Sequence, residues 1–135
     1  MTIRLHVNAV LARMRQDPML ADCTFQGVVE AGDERPQLFC AVFPDSGFRE
    51  QARYTGAQIQ ETYSFTIHSV GITAEQAQHV AERVYAQLLG AVLAIDGRKC
   101  WPIRSVVSRP LQIDRDVTPA VHYCVDVFEL TTQPT

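Results

Sequence analysis

The sequence predicts an α+β fold in a single domain, a mostly antiparallel β-sheet with two main helices packed on one face. Three observations carry this reading. Apolar residues recur at helical spacing in two segments, one at the N-terminus and one over 73–90. The remaining apolar runs either alternate with period two or are apolar throughout, as strands do. These strand runs come in neighbouring pairs rather than alternating strictly with helices, which favours antiparallel pairing. The chain has 135 residues, 47% hydrophobic and 20% charged, enough to bury a core without metals or disulfides. The expected domain spans 1–131, with 132–135 as a frayed tail.

The first helix is expected over Ile3 to Gln16, where Val7, Val10, Leu11 and Met14 follow the i, i+3, i+4, i+7 pattern. Asp17-Pro18 ends it, because the residue before proline avoids helical dihedrals. Cys23 to Glu30 is a short strand candidate. Gln37 to Phe43, apolar on both faces, is a central one, and the two read as a hairpin across the polar turn 31–36. Pro44 to Glu61 has no clean period and reads as a long connection, of the kind that often carries function.

Thr62 to Ser69 alternates, with Tyr63, Phe65 and Ile67 on one side and Thr62, Ser64, Thr66 and His68 on the other. The second helix opens on Thr73 as N-cap with Gln76 in the capping-box position, and Gly90 is its expected C′ residue. Ala77, Val80, Ala81, Val84, Tyr85 and Leu88 form its apolar face. Trp101 to Val107 reads as a strand that Pro110 marks as an edge or bulge. The last strand, Ala120 to Thr131, sets Val121, Tyr123, Val125 and Val127 against His122, Cys124, Asp126 and Phe128.

Composition argues against several functions. A net charge of −3 disfavours a generally basic nucleic-acid binder, and no sequence-specific nucleic acid is expected as a partner. The longest apolar run, Leu88 to Ile95, is far shorter than the roughly 20 residues of a membrane helix. The N-terminus lacks a signal-type apolar block, so folding in a cytoplasm is expected. Cys23, Cys40, Cys100 and Cys124 show no C-x-x-C spacing and read as structural thiols, with no metal or cofactor expected.

His122, Cys124 and Asp126 share one strand face, a residue set that can support nucleophilic catalysis. Successive members lie roughly 7 Å apart along the strand, too wide for a hydrogen-bonded relay. No catalytic residue and no enzyme activity is expected. Arg98, Lys99, Arg104 and Arg109 around Trp101 form a basic stretch, read as a solvated strand edge or a patch for an acidic protein partner. In the 44–61 segment, Phe48, Arg49, Arg53 and Tyr54 are candidate interface residues, because aromatics and arginines are common interface anchors.

The order of segments resembles the tail-terminator (tail completion) proteins of long-tailed bacteriophages. The resemblance rests on the N-terminal helix, on Arg35-Pro36 leading into Gln37–Phe43, on Glu61–Ile67 running towards Thr73–Ala77, on Leu88-Leu89-Gly90, and on Asp114–Asp116 ahead of Tyr123–Leu130. It implies a non-enzymatic virion protein that forms a homo-hexameric ring, caps the tail tube, stops its polymerisation and meets the head or neck connector proteins. Its place would be the tail near the neck, with assembly in the bacterial host cytoplasm. A neck or head–tail connector protein is the alternative in the same class. A small cytoplasmic ligand-binding or hydrolytic domain built on His122, Cys124 and Asp126 is the alternative from another class.

Overall fold

The structure, a computed structural model, describes residues 2–27, 36–45, 47–51, 59–116 and 120–134. Among them the order is helix α1 (Thr2–Met14), a 3₁₀ turn (Leu20–Asp22), β1 (Thr24–Gln26), β2 (Leu38–Pro44), β3 (Phe48–Gln51), β4 (Ile59–Gly71), helix α2 (Ala74–Leu88), β5 (Arg98–Cys100), β6 (Arg104–Ser108), β7 (Gln112–Asp114) and β8 (Val121–Pro134). The sheet runs β1-β2-β4-β8-β5, with β3 also on β4 and β6 and β7 also on β8. Every pair is antiparallel except β1–β2, so the α+β class stands.

The helices cover one face of this sheet. In α1 the apolar stripe Val7, Val10, Leu11 and Met14 is buried as its spacing requires, and His6 is buried with it. The helix ends at Met14, and the Asp17 side chain then accepts the Met19 N–H at 2.8 Å to shape the turn. In α2 the buried residues are Ala77, Val80, Val84 and Leu88. Thr73 Oγ1 accepts the Gln76 N–H at 3.2 Å. Gln76 Oε1 in turn accepts the N–H of Ile72 at 3.0 Å, one residue earlier than a standard capping box would place it. Gly71 is needed where β4 meets α2, since a Cβ there would lie 2.6 Å from Gln76 Cβ and 2.7 Å from the Ala77 nitrogen.

Under the helices, β4 and β8 put Tyr63, Phe65, Phe128 and Leu130 in the core, each almost fully buried. Register pairs Phe65 with Phe128 and Tyr63 with Leu130, so the alternation expected for β4 holds residue by residue. Strand β2 buries Phe39, Cys40, Ala41 and Val42 in succession, the pattern of an interior strand.

Four expectations need correction. First, β1 and β2 are parallel, with Thr24 beside Cys40 and Gln26 beside Val42, rather than a hairpin. Among the described residues of the 23–30 run, Thr24–Gln26 form strand, and the eleven residues between Gln26 and Leu38 come close to the dozen or so that a parallel connection usually takes. Second, the 44–61 connection contains β3, which pairs with Ile59–Thr62 of β4. Asp45 makes this possible, its Oδ1 accepting the N–H groups of Gly47 and Ser64, both at 3.0 Å.

Third, the strand expected over 101–107 is broken. β5, β6 and β7 are short pieces laid end to end along β8, interrupted by Pro102, by a register shift between Ser105 and Val107, and by Pro110. Fourth, the described residues of the expected tail, 132–134, are strand: β8 runs to Pro134 with Thr132 fully buried, where it faces a polar cluster beneath α1.

Candidate interaction edge

The 98–114 stretch forms one whole margin of the sheet. It starts at the Asp96-Gly97 turn, where Gly97 adopts φ +75°, a conformation that costs other residues energy. Its inner backbone groups stay bonded to β8 even between the named strands: the Trp101 N–H reaches Thr131 O and the Arg109 N–H reaches Val125 O, both at 2.9 Å. Its outer side has no strand neighbour among the described residues. All five residues of β6 are exposed.

The exposed large apolar residues gather on this margin. Val106, Val107 and Ile113 lie on β6 and β7, and Leu89 and Val92 lie on the corner that follows α2. That corner is tied to the margin by two hydrogen bonds, Gly90 N–H to Ile103 O and Ile103 N–H to Ala91 O, each 2.9 Å. Leu5 is the other large apolar residue exposed among those described. Exposed apolar residues strung along an edge that has no strand neighbour among the described residues make it a candidate interaction surface.

Lys99, Arg104 and Arg109 rim the patch and are exposed. The Lys99 ammonium lies 5.6 Å from the centre of the Trp101 ring. Arg104 Nη2 donates to Glu129 Oε2 at 2.5 Å, with the arginine side chain 72% exposed. A notch of about 470 Å³ opens beside them, lined by Thr62, Trp101, Pro102, Arg104, Glu129 and Thr131.

Two polar clusters anchor the margin to the body. At the β5 end, Arg98 donates through Nε (3.2 Å) and Nη2 (2.9 Å) to Thr132 Oγ1, and its guanidinium lies 3.6 Å from buried Glu61. Tyr63 OH donates to the same Glu61 carboxylate. His6 Nε2 lies 2.6 Å from Thr132 Oγ1, and its ring lies tilted against Tyr63 with ring centres 4.1 Å apart. At the β6 end, Asp126 Oδ1 accepts from Ser108 Oγ at 2.8 Å and from Tyr85 OH at 3.1 Å. Strand, helix and margin are thus tied at one buried carboxylate. Its Oδ2 and Ser69 Oγ are buried without a hydrogen-bond partner among the described residues.

The sheet face opposite the helices carries a ring row, Phe43 to His68 at 5.0 Å and His68 to Tyr123 at 6.2 Å. Burial among these rings lowers the His68 pKa, which favours neutral imidazole. Tyr123 OH donates to Gln112 Oε1 at 2.7 Å, binding β7 to β8.

The His122, Cys124 and Asp126 set does not converge. His122 Nδ1 lies 3.1 Å from Ile72 O and so must donate its proton to that carbonyl. Asp126 is committed to Ser108 and Tyr85. Burial, followed by the Asp126 charge, pushes the Cys124 thiol pKa up, the wrong direction for a nucleophile. All four cysteines are free thiols, and Cys40, beside Thr24 Oγ1 at 3.3 Å, is pushed up to about 11 chiefly by burial. Among the described residues no group of three His, Cys, Asp or Glu could hold a metal ion, and no helix is long and apolar enough to cross a membrane.

Of the candidate interface residues, Phe48 and Arg49 lie on β3, opposite Thr62 and Glu61. Arg53 and Tyr54 lie outside the described residues. Sequence reasoning placed the basic stretch but missed the apolar patch beside it. Val106 and Val107 look the same in sequence whether buried or exposed, and Pro110 was the signal for an edge.

No protein-family model matches the chain, and no curated protein matches it significantly. Among the solved structures that share its fold are the following two. One is a chain from the virion of the native gene transfer agent (GTA) particle, with TM-score 0.71 and 15% identity over 93% of this chain and 92% of that one. The other has TM-score 0.62 and 15% identity over 98% and 96% of the two chains.

Proposed function

We propose that the chain is a structural subunit of a phage-like virion, a tail terminator that closes into a homo-hexameric ring on the end of the tail tube. The observation that carries this reading is the near-complete fold match to a gene transfer agent virion chain, 93% of one chain on 92% of the other. The margin supports it independently. A sheet edge unpaired among the described residues, with exposed Val106 and Val107 on it and Leu89 and Val92 at the adjoining corner, is a liability in a monomer and an asset in a closed ring. The separated commitments of His122, Cys124 and Asp126 argue against the hydrolytic alternative.

In this reading the ring stops tube growth and presents its other surface to the head or neck connector proteins. It acts without enzymatic activity or cofactor, within the virion tail. Phe48, Arg49, Arg53 and Tyr54 contribute to the contact with the neighbouring subunit or the tube. The test is to add the protein to growing tail tubes and image the ends by electron microscopy. Tubes that stop with a ring at one end support the reading. Rings that bind the head portal and ignore tubes assign a connector role instead, and a protein that binds neither and forms no ring overturns the structural reading.

A further inference from the structure

We propose that the β5–β6 margin of one copy docks head-to-tail into the groove on the outer face of α2 in the next copy; this rests on the ring reading above. The margin offers exposed Val106 and Val107 between the cations Lys99 and Arg109, with Arg104 already paired to Glu129. Interfaces with a dehydrated apolar core and a charged rim have this composition. A two-fold contact of margin on margin would set those cations against their own copies, and like charges opposed across an interface are strongly unfavourable. The partner surface must therefore be a different, acidic one.

The chain carries such a surface. A groove of about 590 Å³ runs along α2, lined by Leu38, Thr73, Glu75, His79 and Glu82 among others. Glu75 and Glu82 are exposed and lie two turns apart, roughly 10 Å, on one stripe. Arg83, on the adjacent stripe, is drawn away by Asp17 at 3.4 Å. Leu38 belongs to β2, and β2 is separated from β6 by β4 and β8. The two surfaces thus sit on opposite sides of the sheet, and a contact between unlike surfaces propagates from copy to copy until the rotation closes it.

Charge reversal tests the match. An edge variant, Lys99→Glu with Arg109→Glu, carries two acidic surfaces. A groove variant, Glu75→Arg with Glu82→Arg, carries two basic ones. Circular dichroism and melting curves check that both keep the wild-type fold, and sedimentation velocity reads assembly. Each variant alone should assemble roughly 100-fold more weakly than wild type. Their equimolar mixture should recover assembly, because every edge then finds a groove of opposite sign. Two single variants that assemble like wild type would overturn the docking surfaces while leaving the ring intact. A mixture that fails to recover would overturn the pairing of these two surfaces. Wild-type protein that never assembles, alone or on tubes, would overturn the ring reading itself.

Discussion

Two arginine–carboxylate pairs on the same margin differ in a way that distance alone would misjudge. Arg104 and Glu129 approach to 2.5 Å, and Arg98 and Glu61 only to 3.6 Å. The shorter pair is exposed on its arginine side, so water and salt screen it and holding two side chains still offsets much of the gain. The longer pair is 8% and 7% exposed and shares its surroundings with Thr132, Tyr63 and His6. The contrast extends to the whole molecule. The buried anchors and the helix-covered side invest their contacts in stability, and the outer part of the margin, Arg104 to Ile113, keeps apolar and charged groups in water where they contribute little to folding.

The largest expected effect lies in the covered side. Phe128→Ala empties a site in register with Phe65 and against Tyr85, with ring centres 5.1 Å apart, and should cost about 3–5 kcal/mol in urea unfolding. Arg98→Ala should come next, at roughly 3 kcal/mol, because it leaves Glu61 buried without the guanidinium. Arg104→Ala, at the shorter pair, should cost under about 1 kcal/mol. Equal losses from the two arginine variants would remove the distinction drawn between the pairs.

These regions were unequally legible in the sequence. The core of α2 and β4 could be read because Val80, Val84 and Leu88, or Tyr63, Phe65 and Ile67, repeat with a period that specifies one face. The parallel direction of β1 could not, since three residues of strand carry no signal of orientation. The polar anchor was invisible for a different reason. His6 and Thr132 are separated by nearly the whole chain, and nothing local marks either as a partner. On the margin the cations were legible and the exposure of the valines was not, because the uncovered side of a strand depends on what the rest of the chain packs elsewhere.

An alkaline titration sharpens the comparison at Cys40. Its folded pKa of about 11 lies above the ordinary 9.0, so the neutral thiol is favoured in the folded state. That stabilisation is complete below about pH 9 and is lost as pH rises through the folded value. Two pKa units correspond to roughly 2–3 kcal/mol. Unfolding free energies of wild type and Cys40→Ala, followed from pH 8 to 11, should therefore differ in slope, with the steeper fall in wild type. Smaller still, Thr73→Ala should cost about 1 kcal/mol through loss of the N-cap to Gln76.

The margin itself supplies the smallest effect on folding and the largest on assembly. Val106→Ser with Val107→Ser should change unfolding free energy by only about 0.5 kcal/mol per site, as exposed substitutions do. Native mass spectrometry of wild type and this double variant, alone and with tail-tube protein, is the most direct test. Wild type should appear near six protomer masses, and the variant, equally stable, should stay at one. A variant that assembles as readily as wild type, or a wild type that stays at one protomer mass in every mixture, would contradict the assignment of the margin to ring assembly.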